Sequence, residues 1–353
     1  MSPDAAEPSR MFATALRGLG RLAGRDLARI PGIHARETGC DGRGDVLFFD
    51  ALPGAWPALA DARLTDDLFV EAGRTQRAEG DAAPWVAARI WRGRRIDRAI
   101  ASWAALRRVQ RDALTFRVVV RVLQERSFRR TELRHHLAEA IARDRPRWRR
   151  ADPARLEVWV VEYRQGRFVA GLRVTDERMR HRQGRVVERP GALRPTVAAA
   201  MVGLAGRPQG VLLDPCAGAG TILAEARARG WAVAGREIDA AAVQAASRNA
   251  PESLVELGDA RGLDFDDGAV GACVSNLPFG HRFRVPGDPE MWLRLVMGEM
   301  ARVTRGGGQV VVLAPDLPRR AVPRALRLRE RHPLDLLGEP TTIWSFEKGP
   351  GGR

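Results

Sequence analysis

Cysteine is scarce in this chain of 353 residues: there are three, Cys40, Cys216 and Cys273. They are odd in number and far apart, and no two have metal-ligand spacing. That excludes a disulfide framework and a cysteine-built metal centre, and it fits a reducing compartment. Long apolar runs are missing too, since no stretch approaches the ~18 uninterrupted residues of a membrane span. Residues 1–10 are polar, carry Asp4 and Glu7, and lack the apolar core of a secretory signal, so a cytoplasmic protein with no membrane partner is expected. Lysine is nearly absent, Lys348 being the only one.

Charge of one sign is abundant. The formal net charge is +15, and its distribution is uneven: roughly 0 over residues 1–60, +3 over 61–110, +11 over 111–195 and +1 over 196–353. Coding bias explains arginine in place of lysine. It does not explain why the excess gathers in one block. A basic block beside a neutral one suggests that the block holds a polyanion while chemistry happens elsewhere.

The length suits two or three domains, and the pattern sets expected boundaries at 1–75, 76–188 and 189–353. The first segment reads as a small α+β unit: a helix over Gly18–Ala28, short strands around Ile33 and Val46–Phe49, a helix over Ala55–Ala62, and a linker around Ala72–Pro84. No catalytic constellation lies in it. The middle segment reads as a helical stretch, Trp85–Val109, followed by a strand, Thr115–Gln124, with Arg117 and Arg121 on one face. A helix over Ser127–Ile141 comes next, with Leu133, Leu137 and Ile141 at helical spacing and Thr131 able to cap it; Arg130, like Arg117 and Arg121, is read as a nucleic-acid contact. Strands Leu156–Tyr163 and Arg167–Val174 complete the segment. His135 and His136 point in different directions on their helix and find no further ligand at useful spacing, so no metal is expected. Arg147, Arg149 and Arg150 surround Trp148, a pattern suited to phosphate contact with the indole stacked on an exposed base; Arg180 and Arg182 close the block. Charge runs are also ordinary solvated loops, but here the whole block carries the bias.

The strand from Phe116, the helix after Arg130, the Asp152-Pro153 turn into Leu156–Tyr163 and the closing Met179–Arg182 together resemble the THUMP domain, an RNA-binding module of tRNA- and rRNA-modifying enzymes. The resemblance implies that residues 1–75 are the ferredoxin-like unit accompanying that module, and that the block grips the acceptor end of a tRNA.

From Leu193 the composition changes. Pro195 opens a helix over Thr196–Leu204, where a missing amide donor costs nothing. An apolar strand, Gly210–Leu213, then runs into Asp214-Pro215-Cys216-Ala217-Gly218-Ala219-Gly220-Thr221 and a helix, Ile222–Arg229. Strand, glycine turn and helix form a nucleotide-type site at the edge of a parallel sheet, with Gly218 and Gly220 permitting close approach. A second strand, Trp231–Ala234, leads to Glu237, about twenty residues after the turn and placed for ribose hydroxyls. A third, Leu254–Leu257, leads to Asp259, able to accept from an adenine amine. The fourth, Ala269–Val274, ends in Ser275-Asn276-Leu277-Pro278-Phe279-Gly280. Those six residues alone read equally well as a turn. A fifth strand, Gln309–Ala314, and a tail of two more, Leu326–Arg331 and Thr342–Lys348, follow.

This order resembles the class I S-adenosylmethionine-dependent methyltransferases over nearly all of residues 193–353. A dehydrogenase would more often show Gly-x-Gly-x-x-Gly and has no need of Asn-x-Pro-Phe after the fourth strand. The fold class expected is therefore α/β, a Rossmann-like domain on a seven-stranded mixed sheet behind two smaller α/β units. The resemblance implies S-adenosylmethionine as cofactor, held by Pro195, Thr196, Asp214, Pro215, Ala217, Gly218, Gly220, Thr221, Glu237, Ile238, Asp259, Ala260 and Asn276. Catalysis falls to Asn276, Leu277, Pro278 and Phe279. The Asn276 side-chain oxygen and the Leu277 carbonyl would hold the hydrogens of an exocyclic amine, and Phe279 would stack on a flipped-out base. The related motif usually has two prolines. Leu277 departs from that, and Asn-Leu-Pro-Phe-Gly is similar to the THUMP-containing tRNA guanine-N(2)-methyltransferases of acceptor-stem position six. His281 and Arg282, next in line, read equally as RNA contacts or as a solvated loop. The expected partner is tRNA, with ribosomal RNA as alternative acceptor and a non-catalytic RNA-binding protein as the alternative class. No obligatory protein partner is evident, and a monomer is expected.

Overall fold

The structure is a computed structural model that describes residues 7–75, 82–123, 127–176, 179, 187, 189, 191–278, 287–336 and 338–350. The chain forms two compact units, Met1–Arg180 and His181–Arg353. Among the described residues no helix is long and apolar enough to cross a membrane.

In the N-terminal unit the elements run β1 (Ser9–Leu16), α1 (Gly20–Leu27), β2 (Ile33–Cys40), β3 (Gly44–Ala51), a short helix α2 (Trp56–Leu59), β4 (Asp67–Arg74), α3 (Ala83–Ile90), α4 (Arg94–Arg107), β5 (Thr115–Arg121), α5 (Arg130–Asp144), β6 (Arg149–Arg150), β7 (Leu156–Arg164) and β8 (Arg167–Arg173). They build one eight-stranded sheet in the order β2-β3-β1-β4-β8-β7-β5-β6. The strands on either side of the expected division at residue 75 pair directly, Val70 with Leu172. Phe12, Phe48 and Phe69 share one apolar cluster with Trp159, Val161, Tyr163 and Val169.

Four local expectations are corrected here. Strands β1 and β4 were not foreseen, and the expected linker at Ala72 begins inside β4. Both strands are buried on nearly every residue, so they lack the alternation that marks a half-exposed strand. The expected single helix over Trp85–Val109 is two helices, broken at Gly93, whose φ of +82° no L-residue readily adopts. Thr131 does not cap α5, because the cap position is Arg129, which makes no side-chain bond, and Thr131 lies inside the first turn.

Glu157 ties β5, β7 and β8 together. Its carboxylate accepts from Arg117 at 2.5 Å, Arg173 at 2.8 Å and the Trp159 indole at 2.8 Å. Burial alone would raise its pKa, but these donors outweigh it and hold the group at about 2.

The C-terminal unit contains α6 (Pro195–Leu204), β9 (Val211–Asp214), α7 (Thr221–Ala228), β10 (Ala232–Glu237), α8 (Ala240–Asn249), β11 (Leu254–Leu257), β12 (Val270–Asn276), α9 (Pro289–Val303), β13 (Thr304–Ala314), β14 (Leu326–Leu336) and β15 (Glu339–Lys348). Their order in a seven-stranded sheet is β11-β10-β9-β12-β13-β15-β14, parallel through β13 and antiparallel where β15 enters. This is the expected Rossmann-like mixed sheet. The core packs Leu213, Cys273, Val310 and Val312 of the central strands against Val296, Met297 and Met300 of α9. The chain winds outward from β9 to β11 and then returns to the other side of β9 as β12. The reversal opens a crevice at the carboxyl ends of β9 and β12.

Candidate active site

Each strand bordering the crevice ends in a polar residue. Asp214 closes β9 and is 1% exposed. Its Oδ1 accepts from the Ser275 hydroxyl at 2.7 Å and the Cys216 amide at 3.1 Å. Burial pushes its pKa up to about 7, against the opposing effect of those two hydrogen bonds. The same burial pushes the neighbouring Cys216 thiol up. The turn that follows β9 needs glycine at position 220. Gly220 has φ +78°, and a Cβ there would meet the Cα of Ala246 at 3.0 Å, so it lets α7 approach α8. The Gly218 amide donates at 2.8 Å to Glu237 Oε2, which holds the carboxylate at the end of β10 against the turn. Glu237 Oε1 accepts from the Asp239 amide at 3.0 Å. Beyond β11, the Arg261 side chain hydrogen-bonds Asp259, with Nη2 to Oδ2 at 2.6 Å, and holds that carboxyl below the usual range.

Asn276 ends β12, paired with Leu313 of β13. Its Oδ1 is buried and has no hydrogen-bond partner among the described residues. A buried acceptor left without a donor is uncommon and costs free energy unless something else satisfies it.

These residues surround a cavity of about 380 Å³, within the range of small-molecule sites. Of the residues expected to hold a cofactor, Asp214, Pro215, Ala217, Gly218, Thr221, Glu237, Ile238, Asp259, Ala260 and Asn276 line it, and so do Leu277 and Pro278. Pro195, Thr196 and Gly220 are not among the lining residues: Pro195 begins α6, Thr196 is buried, and Gly220 serves helix packing. Phe279, His281 and Arg282 lie outside the described residues. The lining also includes residues not foreseen: Arg189, Gly191 and Ala192 ahead of Leu193, and Cys216, Asp239 and Trp292. Asp239 was visible as a second carboxylate two residues after Glu237. The segment before α6 has no periodicity that would have marked it.

The expected RNA-contacting residues fall into distinct environments. Arg130, Arg147 and Arg149 are exposed and have no ion pair among the described residues. Arg117 is held by Asp152 and Glu157, and Arg150 by Glu139. Arg121 pairs with Asp41 and lies over the Trp159 ring. Trp148 is a correction. It is 5% exposed, its indole donates to the Arg111 carbonyl at 2.9 Å, and its ring packs near Phe116, so it has no free face for a base. Arg180 and Arg182 lie outside the described residues.

Residues 182–332 match the family model described as "RMKL-like, methyltransferase domain". No curated protein matches the chain. Among solved structures, the chain is similar to TrmN from Thermus thermophilus, at 22% identity and TM-score 0.73 over 96% of this chain and 99% of that one. A possible methylase from Clostridium difficile 630 matches at 14% identity and TM-score 0.71, over 98% and 100%. SMU.472, described only provisionally as a methyltransferase and complexed with SAH, matches at 14% identity and TM-score 0.66, again over 98% and 100%. These three likenesses are likenesses of fold. The matched family model lies within the C-terminal unit.

Proposed function

We propose that this chain transfers a methyl group from S-adenosylmethionine to the exocyclic amine of a guanosine in tRNA, with position six of the acceptor stem as the site. In this reading residues 1–75 are a ferredoxin-like unit and residues 76–188 a THUMP domain that binds the RNA. The observation that carries the chemistry is the buried, unpartnered Oδ1 of Asn276 at the wall of the cavity.

The residues present fit the cofactor. Glu237, held by the Gly218 amide, and Asp259, held by Arg261, are the two carboxylates able to accept from ribose hydroxyls and an adenine amine. Ala217 and Gly218 leave the turn low enough for close contact. SMU.472, which shares the fold, was solved with SAH. When bound, S-adenosylmethionine supplies a methyl group on a positively charged sulfur, which keeps the electron pair when the methyl leaves.

The chain's own part is to prepare the acceptor. An exocyclic purine amine is a poor nucleophile because its lone pair is delocalised into the ring. Asn276 Oδ1 takes one of its hydrogens and the Leu277 carbonyl the other, which favours a pyramidal nitrogen with its lone pair directed at the methyl group. The methylated nitrogen is acidic and gives its extra proton to water, so no strong side-chain base is needed. The exposed Arg130, Arg147 and Arg149 supply phosphate contacts.

The test is transfer of a labelled methyl group to unmodified tRNA, ribosomal RNA fragments and duplex DNA, followed by nucleoside mapping. The DNA arm matters because a predicted N6-adenine-specific DNA methylase from Listeria monocytogenes shares the fold, at TM-score 0.65. N2-methylguanosine at position six of tRNA is expected. Asn276→Ala should lower turnover about 10²–10³-fold at saturating cofactor, beyond any loss of cofactor affinity. An Asn276→Ala enzyme of normal turnover would sink the mechanism.

A further inference from the structure

At least three hydrogen bonds converge on the buried side chain of Asn249, the last residue of α8. Its Oδ1 accepts from the Val187 amide at 2.7 Å. Its Nδ2 donates to the Val187 carbonyl at 2.8 Å and to the Ala219 carbonyl at 2.9 Å. One carboxamide therefore satisfies both backbone groups of Val187 and fastens them to the glycine turn after β9. Only a carboxamide offers an acceptor and two donors for such a task. Asn249 continues the buried face of α8 after Ala242, Ala245 and Ala246, at a position where those alanines show that a small apolar side chain packs and where asparagine is a poor helix former.

The other end of α8 holds the same stretch. Asp239, the N-cap, accepts from the Ala241 amide through Oδ1 and from Arg189 Nη2 through Oδ2 at 2.5 Å. The Arg189 carbonyl in turn accepts from the Ala192 amide at 3.0 Å, in a turn that contains Gly191. Arg189, Gly191, Ala192 and Leu193 all line the cavity. Arg189 and residues 191–193 thus form a strap along one wall of the cavity ahead of α6, pinned at Arg189 by Asp239 and, two positions earlier, at Val187 by Asn249.

The geometry points to Asn249 as a positioning residue for the cofactor. By docking the strap before the ligand arrives, it forms a wall that the ligand would otherwise have to order at its own cost. This rests on reading the cavity as the S-adenosylmethionine site. Asn249 touches neither the cofactor nor the RNA; it acts through Val187 and through Ala219 of the glycine turn.

Calorimetry with S-adenosylmethionine and amide hydrogen exchange, both on the full chain, test it. Asn249→Asp keeps the shape and the acceptor but loses both donated bonds and sets a carboxylate against two carbonyl oxygens. It should raise the Kd for S-adenosylmethionine about tenfold or more, and it should speed exchange across residues 187–193 in the cofactor-free protein. Arg189→Ala should do the same to a smaller degree. The double variant should lose less than the product of the two, because both pins hold one strap. Affinity for tRNA should stay within about twofold. If Asn249→Asp does not fold, Arg189→Ala decides, since its ion pair is partly exposed. Wild-type binding of S-adenosylmethionine with variant Kd and exchange unchanged overturns the positioning role alone. A wild-type chain that binds no S-adenosylmethionine overturns the functional reading and the cofactor role of Asn249 with it.

Discussion

Leu277 stands where a related motif usually has proline, and its surroundings explain why. It is 2% exposed and belongs to the apolar cluster that includes Trp292. Its amide donates to the Leu313 carbonyl at 3.3 Å, continuing the contact between β12 and β13 by one residue. Proline here would keep the carbonyl proposed to hold the amine, but it would remove both the donor and the buried side chain. Leu277→Pro is therefore expected to cost about 3 kcal/mol of stability, read as a lower denaturation midpoint in urea. Leu277→Met, which nearly conserves volume, should cost under about 1.5 kcal/mol. A leucine at this position is thus a packing residue that also lends its carbonyl to the site.

Among the elements, β9 and β12 meet at the Ser275–Asp214 hydrogen bond, and this junction predicts a pH dependence. Asp214 has a folded-state pKa of about 7 against an ordinary 3.8. Between those values the folded protein holds a proton that the unfolded chain has released. The contribution of this group to stability is then fully present below about pH 4, declines as pH rises to about 7, and is level beyond. Glu157, held at about 2 against an ordinary 4.5, acts with the opposite sign and is level only above about pH 5.5, so the decline is read from there upward. Urea midpoints taken from about pH 5.5 to 8 should show the decline in the wild type. Asp214→Asn should remove that component, and an unchanged slope in the variant would show that another group is responsible.

For the molecule as a whole, electrostatics separates arginines that hold the fold from arginines open to a partner. Arg117 and Arg173 meet on Glu157, so Arg117→Ala should lower the thermal midpoint and leave the salt dependence of RNA binding nearly as it was. Arg147 and Arg149 are exposed. Replacing both by alanine should weaken tRNA binding and reduce the slope of log K against log salt by about 2, with no loss of stability. Filter binding between about 50 and 200 mM salt measures this, over the range where phosphate contacts are most sensitive. An unaltered slope would remove these two residues from the RNA surface.

By itself the sequence determined the parts governed by neighbours along the chain. The glycine turn after Asp214, the carboxylates Glu237 and Asp259 at strand ends, and Asn276 after an apolar run are all short-range patterns, and each was found at the cavity. Tertiary structure decided what depends on burial between distant segments. Strands β1 and β4 are buried on both faces and so leave no alternation to read. Trp148 sits among arginines in sequence yet is drawn into the core, where Phe116 and the Arg111 carbonyl satisfy its ring and its N–H. Val187 and the Asn249 carboxamide that holds it lie 62 residues apart. A carboxamide near the end of a helix has no local signature of that task, because the backbone groups it satisfies are brought to it only by the fold.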